Sequence, residues 1–353
     1  PLAFLSYLVL YAGFGYDPFY FHMFSLLLHI GCVCLVWKLI SSLLRVHGGV
    51  SEKQILYVNF ITTLLFAVHP INVEAVAWIS ALKVLLYAFF YLLGLLCYLR
   101  YIRTSKIFYY VLTIGCFLCS FWGKEQAVTF PLALLIVDWF TNRNMKNLEV
   151  WSEKMSFLIM AFFFGIITVL SQGKGPYEMI FPLYQRLLFG CFALVEYITK
   201  SLLPVNLNFF YPFPIVLGEE PPLHYYLYPV VLLFLMGWII AYRNNRYLVF
   251  GVLLFLVNLL FSIHLFNMSR HAIVADRYMY LSYVGIAFLI ANGIWWLRKR
   301  LSYFKAALVF LFFYCFFLSV YTFHYTKKRE NTTMVKKYTK EVLEKRLNGS
   351  NHL

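Results

Sequence analysis

The stretch FAVHPINVEAVAWISALK, residues 66–83, places side chains that can do chemistry at the end of an apolar segment. Pro70 cannot continue a helix, so it leaves His69 at the tip of the segment before it. His69 and Glu74 are candidates for positioning or exchanging a proton with a substrate. The alternative is structural, because Asn72 could cap a following helix and Glu74 would suit its positive end. Capping does not explain His69, so both interpretations stay open.

A second polar junction, WGKEQ at 122–126, carries Lys124 and Glu125 between two apolar segments. A lysine that faces a cavity can hold a phosphate as a point charge. The pair could equally be an interfacial anchor, since charged side chains at the end of a span reach the headgroups at little cost. Asp138, near Arg143 at the other end of the following segment, is interpreted as a structural residue.

The third junction, SRHAIVADRYMYL, is the most polar of the three. Arg270, His271, Asp276, Arg277 and Tyr278 fall within nine positions, directly before an apolar segment. An arginine fork that grips a phosphate is one interpretation. The other is an ion pair that closes the loop, between Arg277 and either Asp276 or a glutamate.

The elements that must position these residues are membrane helices. The chain has 353 residues, 62% hydrophobic and 13% charged, and its apolar residues form blocks long enough to cross a bilayer. The fold class is therefore all-α, a polytopic membrane helical bundle; a β-barrel would show short alternating segments instead. The net charge of +15 lies in clusters between the blocks, where it sets orientation, and no nucleic-acid partner is expected.

About ten spans are predicted, with two further apolar segments at 1–14 and 185–203. The ten spans are placed at 19–44, 54–68, 84–102, 107–123, 127–140, 155–171, 225–242, 247–266, 281–297 and 306–323.

The positive-inside rule orients these spans, because the basic clusters between them alternate with the three polar junctions. The junctions then share the outward face. A crossing at 185–203 would reverse everything from the cluster at 243–246 onward. That segment is therefore predicted to lie flat on the outer face, where Arg186, Glu196 and Lys200 suit the headgroup level.

Metal and nucleotide motifs do not appear in the sequence: it has no Walker loop, dinucleotide fingerprint, HExxH or zinc spacing. No metal ligand is predicted. The cofactor question stays open between none and a divalent metal.

Four motifs in order carry a family resemblance: HPINVEAVAWIS, WGKEQAVTFPLALLIVDWF, LLPVNLNFFYPFP and ADRYMYLSYVG. They resemble the membrane part of the transmembrane and tetratricopeptide-repeat-containing proteins and their bacterial relatives, which are glycosyltransferases of the GT-C type similar to protein O-mannosyltransferases. The resemblance covers nearly the whole chain. It implies transfer of a sugar from a polyprenyl-phosphate-linked donor to a protein or glycan acceptor on the outer or lumenal face.

The resemblance also implies a division of the chain. Residues 1–323 correspond to the GT-C-like transmembrane domain, and 324–353 to a basic outward tail that leads to the repeats. The family's first span and first outward loop, which holds its acidic base, correspond to sequence before Pro1. No residue of this chain is therefore assigned as the base by resemblance.

The outward cations and polar residues supply the candidate site. A lipid-linked phosphate must be met by cations at the membrane edge, and the leaving phosphate gains charge during transfer. The predicted site residues are His69 and Glu74 as catalytic candidates, Lys124, Arg277 and Arg186 for the donor phosphate, and Asn72, Glu125, Arg270, Asp276 and Tyr278 in support.

Two other functions use the same features: a transporter or flippase of a lipid-linked anionic glycan, and a non-catalytic membrane anchor. Transporters place their sites at mid-membrane, whereas these charges gather at one edge, which favours the enzyme. The expected partners are the lipid-linked sugar, its acceptor and membrane lipids. The expected location is a bacterial inner membrane, or the endoplasmic reticulum membrane if the source is eukaryotic.

Overall fold

The computed structural model describes residues 1–171, 181–208, 210–215, 218–264 and 272–327. These residues form helices and connecting segments, with one isolated antiparallel bridge between Tyr211 and Val274. The α-helices are α1 Leu2–Phe14, α2 Pro18–His47, α3 Glu52–Val68, α4 Val73–Ala77, α5 Leu82–Thr104, α6 Ile107–Gly123, α7 Phe130–Phe140, α8 Leu148–Ser171, α9 Leu183–Leu202, α10 Leu227–Ala241, α11 Arg246–Leu259, α12 Met279–Trp296 and α13 Leu301–Lys327. Short 3₁₀ helices lie at Pro70–Asn72, Ile79–Ala81, Glu125–Thr129, Leu223–Tyr226, Asp276–Tyr278 and Leu297–Lys299.

The all-α prediction is confirmed for the described residues, but the count of about ten spans is not. Six helices are long and apolar enough to cross a membrane, and a seventh candidate is a bent pair. The pair joins α3 to Pro70–Ala77 with a bend of 50°. Each predicted span coincides with a helix, yet α7 has 11 residues, or about 16 Å at 1.5 Å per residue, against a hydrocarbon core of about 30 Å.

The two uncertain apolar segments are also helical. The segment at 1–14 forms α1, and the segment at 185–203 forms α9. Although α9 has 20 residues, it is not among the six candidate spans. Its buried positions, which include Phe189 and Tyr197, recur on one face, as in a helix that rests on a surface.

The bundle core is continuous and built from the inner helices. The most extensive contacts join α5 to α6, α11 to α12, α2 to α5, and α3 to α12. Gly251 and Gly285 allow α11 and α12 to approach closely, since a Cβ at Gly285 would lie 2.5 Å from the Gly251 carbonyl oxygen. By contrast, α10 has no buried residue, as expected of a helix that faces lipid.

An ionic network fastens α5, α7 and α8 at the end of the bundle away from the three junctions. Asp138 and Lys154, both fully buried, form an ion pair. Arg143 lies 3.2 Å from Asp138 and 2.6 Å from Glu153, and the Tyr98 hydroxyl donates to Asp138. The hydrogen bond with Glu153 is the largest influence that raises the pKa of Arg143. Asp138 is therefore a structural residue, as predicted.

Candidate functional site

The site lies where the ends of α3 and α6 meet the beginning of α12. Each helix is joined there to a short 3₁₀ segment, and the segments Pro70–Asn72 and Asp276–Tyr278 contact each other. The gathering of the three polar junctions at one end of the bundle was expected from the orientation of the spans. Of the contacts between their side chains, only an ion pair of Arg277 with Asp276 or a glutamate had been considered.

Pro70 produces the bend after α3 and also explains the role of Asn72. A proline has no N–H, so the carbonyl of Phe66, four residues earlier, loses its helical donor. The Asn72 side chain replaces that donor with an Nδ2 hydrogen bond of 2.7 Å to the Phe66 oxygen. The prediction that Asn72 caps the next helix is wrong: its backbone is already helical and its side chain makes no capping bond.

His69 caps the 3₁₀ helix Pro70–Asn72 and is almost completely buried. Its Nδ1 accepts a hydrogen bond of 3.3 Å from the Ile71 amide. Its ring packs against Tyr283 of α12, with 4.1 Å between the ring centroids. The side chain is 1% exposed. The histidine is thus a fixed residue in the wall of the site.

Glu74 and Arg277 form the main electrostatic contact. The Arg277 guanidinium donates to Oε1 of Glu74 at 2.6 Å, and the Arg277 backbone N–H donates to Oε2 at 2.7 Å. Of the two interpretations of Arg277, the ion pair is therefore present, and its partner is Glu74. Because both carboxylate oxygens accept hydrogen bonds from the same residue, Glu74 orients the arginine.

Lys124 and Arg277 both approach the ring of Tyr278. The Lys124 ammonium lies 4.5 Å from the centroid of the Tyr278 ring, and the Arg277 guanidinium carbon lies 5.1 Å from it. The guanidinium carbon is also 5.4 Å from the half-exposed ring of Trp78. Two cations therefore meet at one ring, with the carboxylates of Glu74 and Asp276 beside them.

Gly123 allows Lys124 to reach this position. A Cβ at Gly123 would lie 2.8 Å from the backbone nitrogen of Tyr87 in α5, so any larger residue would separate α6 from α5. Beyond Lys124 the chain enters the 3₁₀ helix Glu125–Thr129, where Glu125 is half-buried. Gln126 then donates 2.7 Å to the Ser262 hydroxyl, which ties the segment to the connection after α11.

The remaining predicted residues divide into three cases. Arg186 is half-buried on α9, and no hydrogen bond or ion pair joins it to Lys124 or Arg277 within the described ranges. Arg270 lies outside the described residues. Asp276 is fully buried beside Arg277, in the short helix that also contains Tyr278.

Two tyrosines that the sequence analysis missed hold Asp276. The Tyr211 hydroxyl donates to Oδ1 at 3.0 Å, and the Tyr325 hydroxyl donates to Oδ2 at 3.4 Å. Burial, followed by the charge of Asp276, raises the pKa of Tyr211 well above its ordinary value, so the hydroxyl keeps its proton and remains a donor. The available sequence signal was the motif LLPVNLNFFYPFP, which contains Tyr211 and which served only for the family resemblance.

A metal centre is not evident in the described part of the chain, which contains no group of three or more His, Cys, Asp or Glu side chains able to hold an ion. The chemistry available at the site is that of fixed cations, aromatic rings and buried hydrogen-bonding groups.

Comparison with known proteins finds similarity over part of the chain. It is 29% identical over 181 residues to the protein O-mannosyl-transferase tmtc2 of Xenopus laevis, which covers 49% of this chain and 20% of that protein. It is 33% identical over 157 residues to human protein O-mannosyl-transferase TMTC2, a match that covers 42% of this chain and 18% of that protein. It is 27% identical over 169 residues to Drosophila melanogaster protein O-mannosyl-transferase Tmtc3, a match that covers 42% of this chain and 18% of that protein.

These matches span about a fifth of the length of the relatives. No protein-family model matches the chain, and no solved structure matches it. The partial similarity supports a relationship between this chain and the TMTC-type proteins.

Proposed function

We propose that the chain is the membrane part of a glycosyltransferase that moves a sugar from a polyprenyl-phosphate-linked donor to a protein acceptor. The observation that carries the proposal is the placement of Lys124 and Arg277 on one ring at the junction of three helix ends. The relatives' names, protein O-mannosyl-transferase, supply the reaction class and the protein acceptor.

The donor's phosphate explains why two cations would gather there. A polyprenyl phosphate reaches the protein through the bilayer, so its charged group must bind at the edge of the apolar spans. Arg277 uses one guanidinium nitrogen for Glu74, and a guanidinium carries five N–H donors, so others can meet phosphate oxygens. As the sugar leaves, the phosphate gains charge, and cations fixed beforehand stabilise that state more than the bound donor.

The other side chains would act as supports. Glu74 would fix the direction of the Arg277 side chain, and the ring of Tyr278 would contact both cations. His69 lines the wall where an acceptor hydroxyl would be positioned. The general base would be a carboxylate from outside the described residues.

The proposed function also implies a domain division, a membrane and roles for the remaining polar residues. We take residues 1–323 as one GT-C-like domain of about ten crossing segments, and α13 extends beyond that boundary to Lys327. The membrane would be the bacterial inner membrane or, in a eukaryote, that of the endoplasmic reticulum. Arg186 would complete the phosphate site from α9, and Glu125 and Arg270 would add to its polar rim.

The test is sugar transfer in proteoliposomes that contain the purified protein, polyprenyl-phosphate-linked radiolabelled mannose and an acceptor protein. Arg277→Ala should lower the rate of transfer by roughly 100-fold, the loss expected when one fixed donor to a developing charge is removed. Arg243→Ala is the matched control, because Arg243 is an exposed arginine between α10 and α11. Its rate should equal that of the unsubstituted protein.

Two outcomes would overturn the proposal. Equal rates for Arg277→Ala and the unsubstituted protein would remove Arg277 from the site. Movement of the donor lipid across the bilayer without any transfer would identify a transporter instead.

A further inference from the structure

Asp276 joins the candidate site to two distant parts of the chain. Its carboxylate is fully buried and accepts hydroxyl hydrogen bonds from Tyr211, 65 positions earlier, and from Tyr325, 49 positions later. Asp276 is also the immediate neighbour of Arg277. A group that fixes Asp276 therefore fixes the backbone that carries the arginine.

The short helix Asp276–Tyr278 depends on such outside contacts. It has three residues and begins after the extended backbone of Ala275. Its own backbone bond, from the Tyr278 amide to the Ala275 carbonyl, closes a single turn at 3.1 Å. One turn of 3₁₀ helix is weakly held by itself, so side-chain contacts decide its direction. These contacts include Glu74 on Arg277, Lys124 on Tyr278 and the two tyrosines on Asp276.

Tyr211 is anchored within the loop that follows α9. The Ile273 amide donates 2.9 Å to the Tyr211 carbonyl, and the Asn208 amide donates 2.8 Å to the Tyr211 hydroxyl. The Lys200 ammonium lies 4.4 Å from the Tyr211 ring and pairs with Glu196 at 2.6 Å. This tyrosine therefore has several contacts that would keep it in place.

Tyr325 is anchored differently, at the end of α13. Thr322 donates 2.8 Å to the carbonyl of Val68, the residue before His69. The Tyr321 hydroxyl accepts a 3.4 Å hydrogen bond from the Leu207 amide. Tyr325 itself is 2% exposed and packs with Val73 and Leu207. One helix end thus contacts the segments that carry His69, Glu74 and Arg277.

We infer that Tyr325 is a positioning residue for Arg277, acting through its hydrogen bond to Asp276. This inference rests on the proposed function for its catalytic consequence, but its structural part does not.

The first experiment removes one hydroxyl. Tyr325→Phe keeps the ring and its packing but deletes the donor to Asp276. The amides of Arg277 and Tyr278 should then exchange with deuterium roughly 10-fold faster in detergent micelles, the change expected on losing a hydrogen bond to a charged acceptor. Tyr303→Phe, the same change at an exposed position near the start of α13, should leave their exchange unaltered.

The second experiment asks whether Tyr325 acts through Asp276. Asp276→Asn and Tyr325→Phe should each raise the KM for the polyprenyl-phosphate donor, and the double variant should resemble Asp276→Asn alone. Additive effects would overturn the inference. Tyr211→Phe, which removes the other hydroxyl, should accelerate exchange at the same two amides.

The outcomes separate this inference from the proposed function. Faster exchange confined to the Asp276–Tyr278 segment supports the positioning role even if no sugar is transferred, in which case only the proposed function fails. Unchanged exchange in Tyr325→Phe overturns the positioning role even if transfer is normal in the unsubstituted protein. Faster exchange throughout the bundle also overturns it, because it would show a general loss of stability.

Discussion

Glu74 and Arg277 are joined through side chain and backbone at 2.6 and 2.7 Å, although 203 positions separate them in the chain. The Glu74 side chain is 3% exposed and that of Arg277 is 24% exposed. A pair this shielded from water differs from a surface ion pair, because removing one partner leaves the other charge buried. The contact fixes the arginine before any substrate arrives.

Replacing Glu74 distinguishes a positioning group from a base. Glu74→Gln should lower sugar transfer by roughly 10-fold, since the amide keeps the shape of the carboxylate but weakens its hold on Arg277. The pH dependence of transfer should keep its shape, because we propose that the base lies elsewhere. Loss of the low-pH limb would instead make Glu74 the base. Glu52→Gln, in the exposed pair with Arg45, should have no effect.

Replacing Lys124 tests the recognition of phosphate. Lys124→Met removes the charge at similar length and should weaken binding of polyprenyl phosphate roughly 10-fold, as measured by titration in nanodiscs. Binding of the uncharged polyprenol should not change, since it has no phosphate for the ammonium to bind. Lys38→Met at an exposed position of α2 is the control. Equal affinity of the phosphate for both variants would exclude Lys124 from its binding site.

Hydrophobic block length predicted most of the helices, and the charge clusters predicted that three junctions would share one end. Both signals depend on neighbouring residues, so a single sequence was sufficient to predict these features. The bend at Pro70 was likewise predicted from a single residue whose missing N–H ends the helix.

The pairing of the charges could not be predicted in the same way. Several acidic residues could pair with Arg277, and the spacing along the chain does not show which of them lies opposite it. Asn72 was misassigned because capping is the common role of its residue type, while the carbonyl that it satisfies lies six positions earlier. Tyr211 and Tyr325 were missed because tyrosine is abundant at membrane interfaces, where an anchoring role needs no partner.

Sidedness can be measured with an impermeant maleimide on intact and opened vesicles. Tyr16, 85% exposed, and Asn244, exposed between α10 and α11, are suitable positions for single cysteines. Tyr16→Cys should react from the outward side, and Asn244→Cys only after the vesicles are opened. Reaction of both from one side would require an even number of crossings between them, as when α9 also crosses the membrane or the short α7 does not. The unsubstituted protein gives the background from the native cysteines, of which Cys34 is exposed.

The buried pair of Asp138 and Lys154 makes a prediction about stability alone. Asp138→Asn leaves the Lys154 ammonium without its nearest carboxylate and should lower the free energy of unfolding by about 3–5 kcal/mol. Adding Lys154→Met should recover most of that loss, because a buried pair replaced on both sides leaves no uncompensated charge. Denaturant titration in detergent measures the free energy of unfolding of both variants. Glu52→Gln, an exposed control, should change that free energy by at most about 1 kcal/mol. A double variant no more stable than Asp138→Asn would show that Arg143 and Tyr98, rather than Lys154, require the carboxylate.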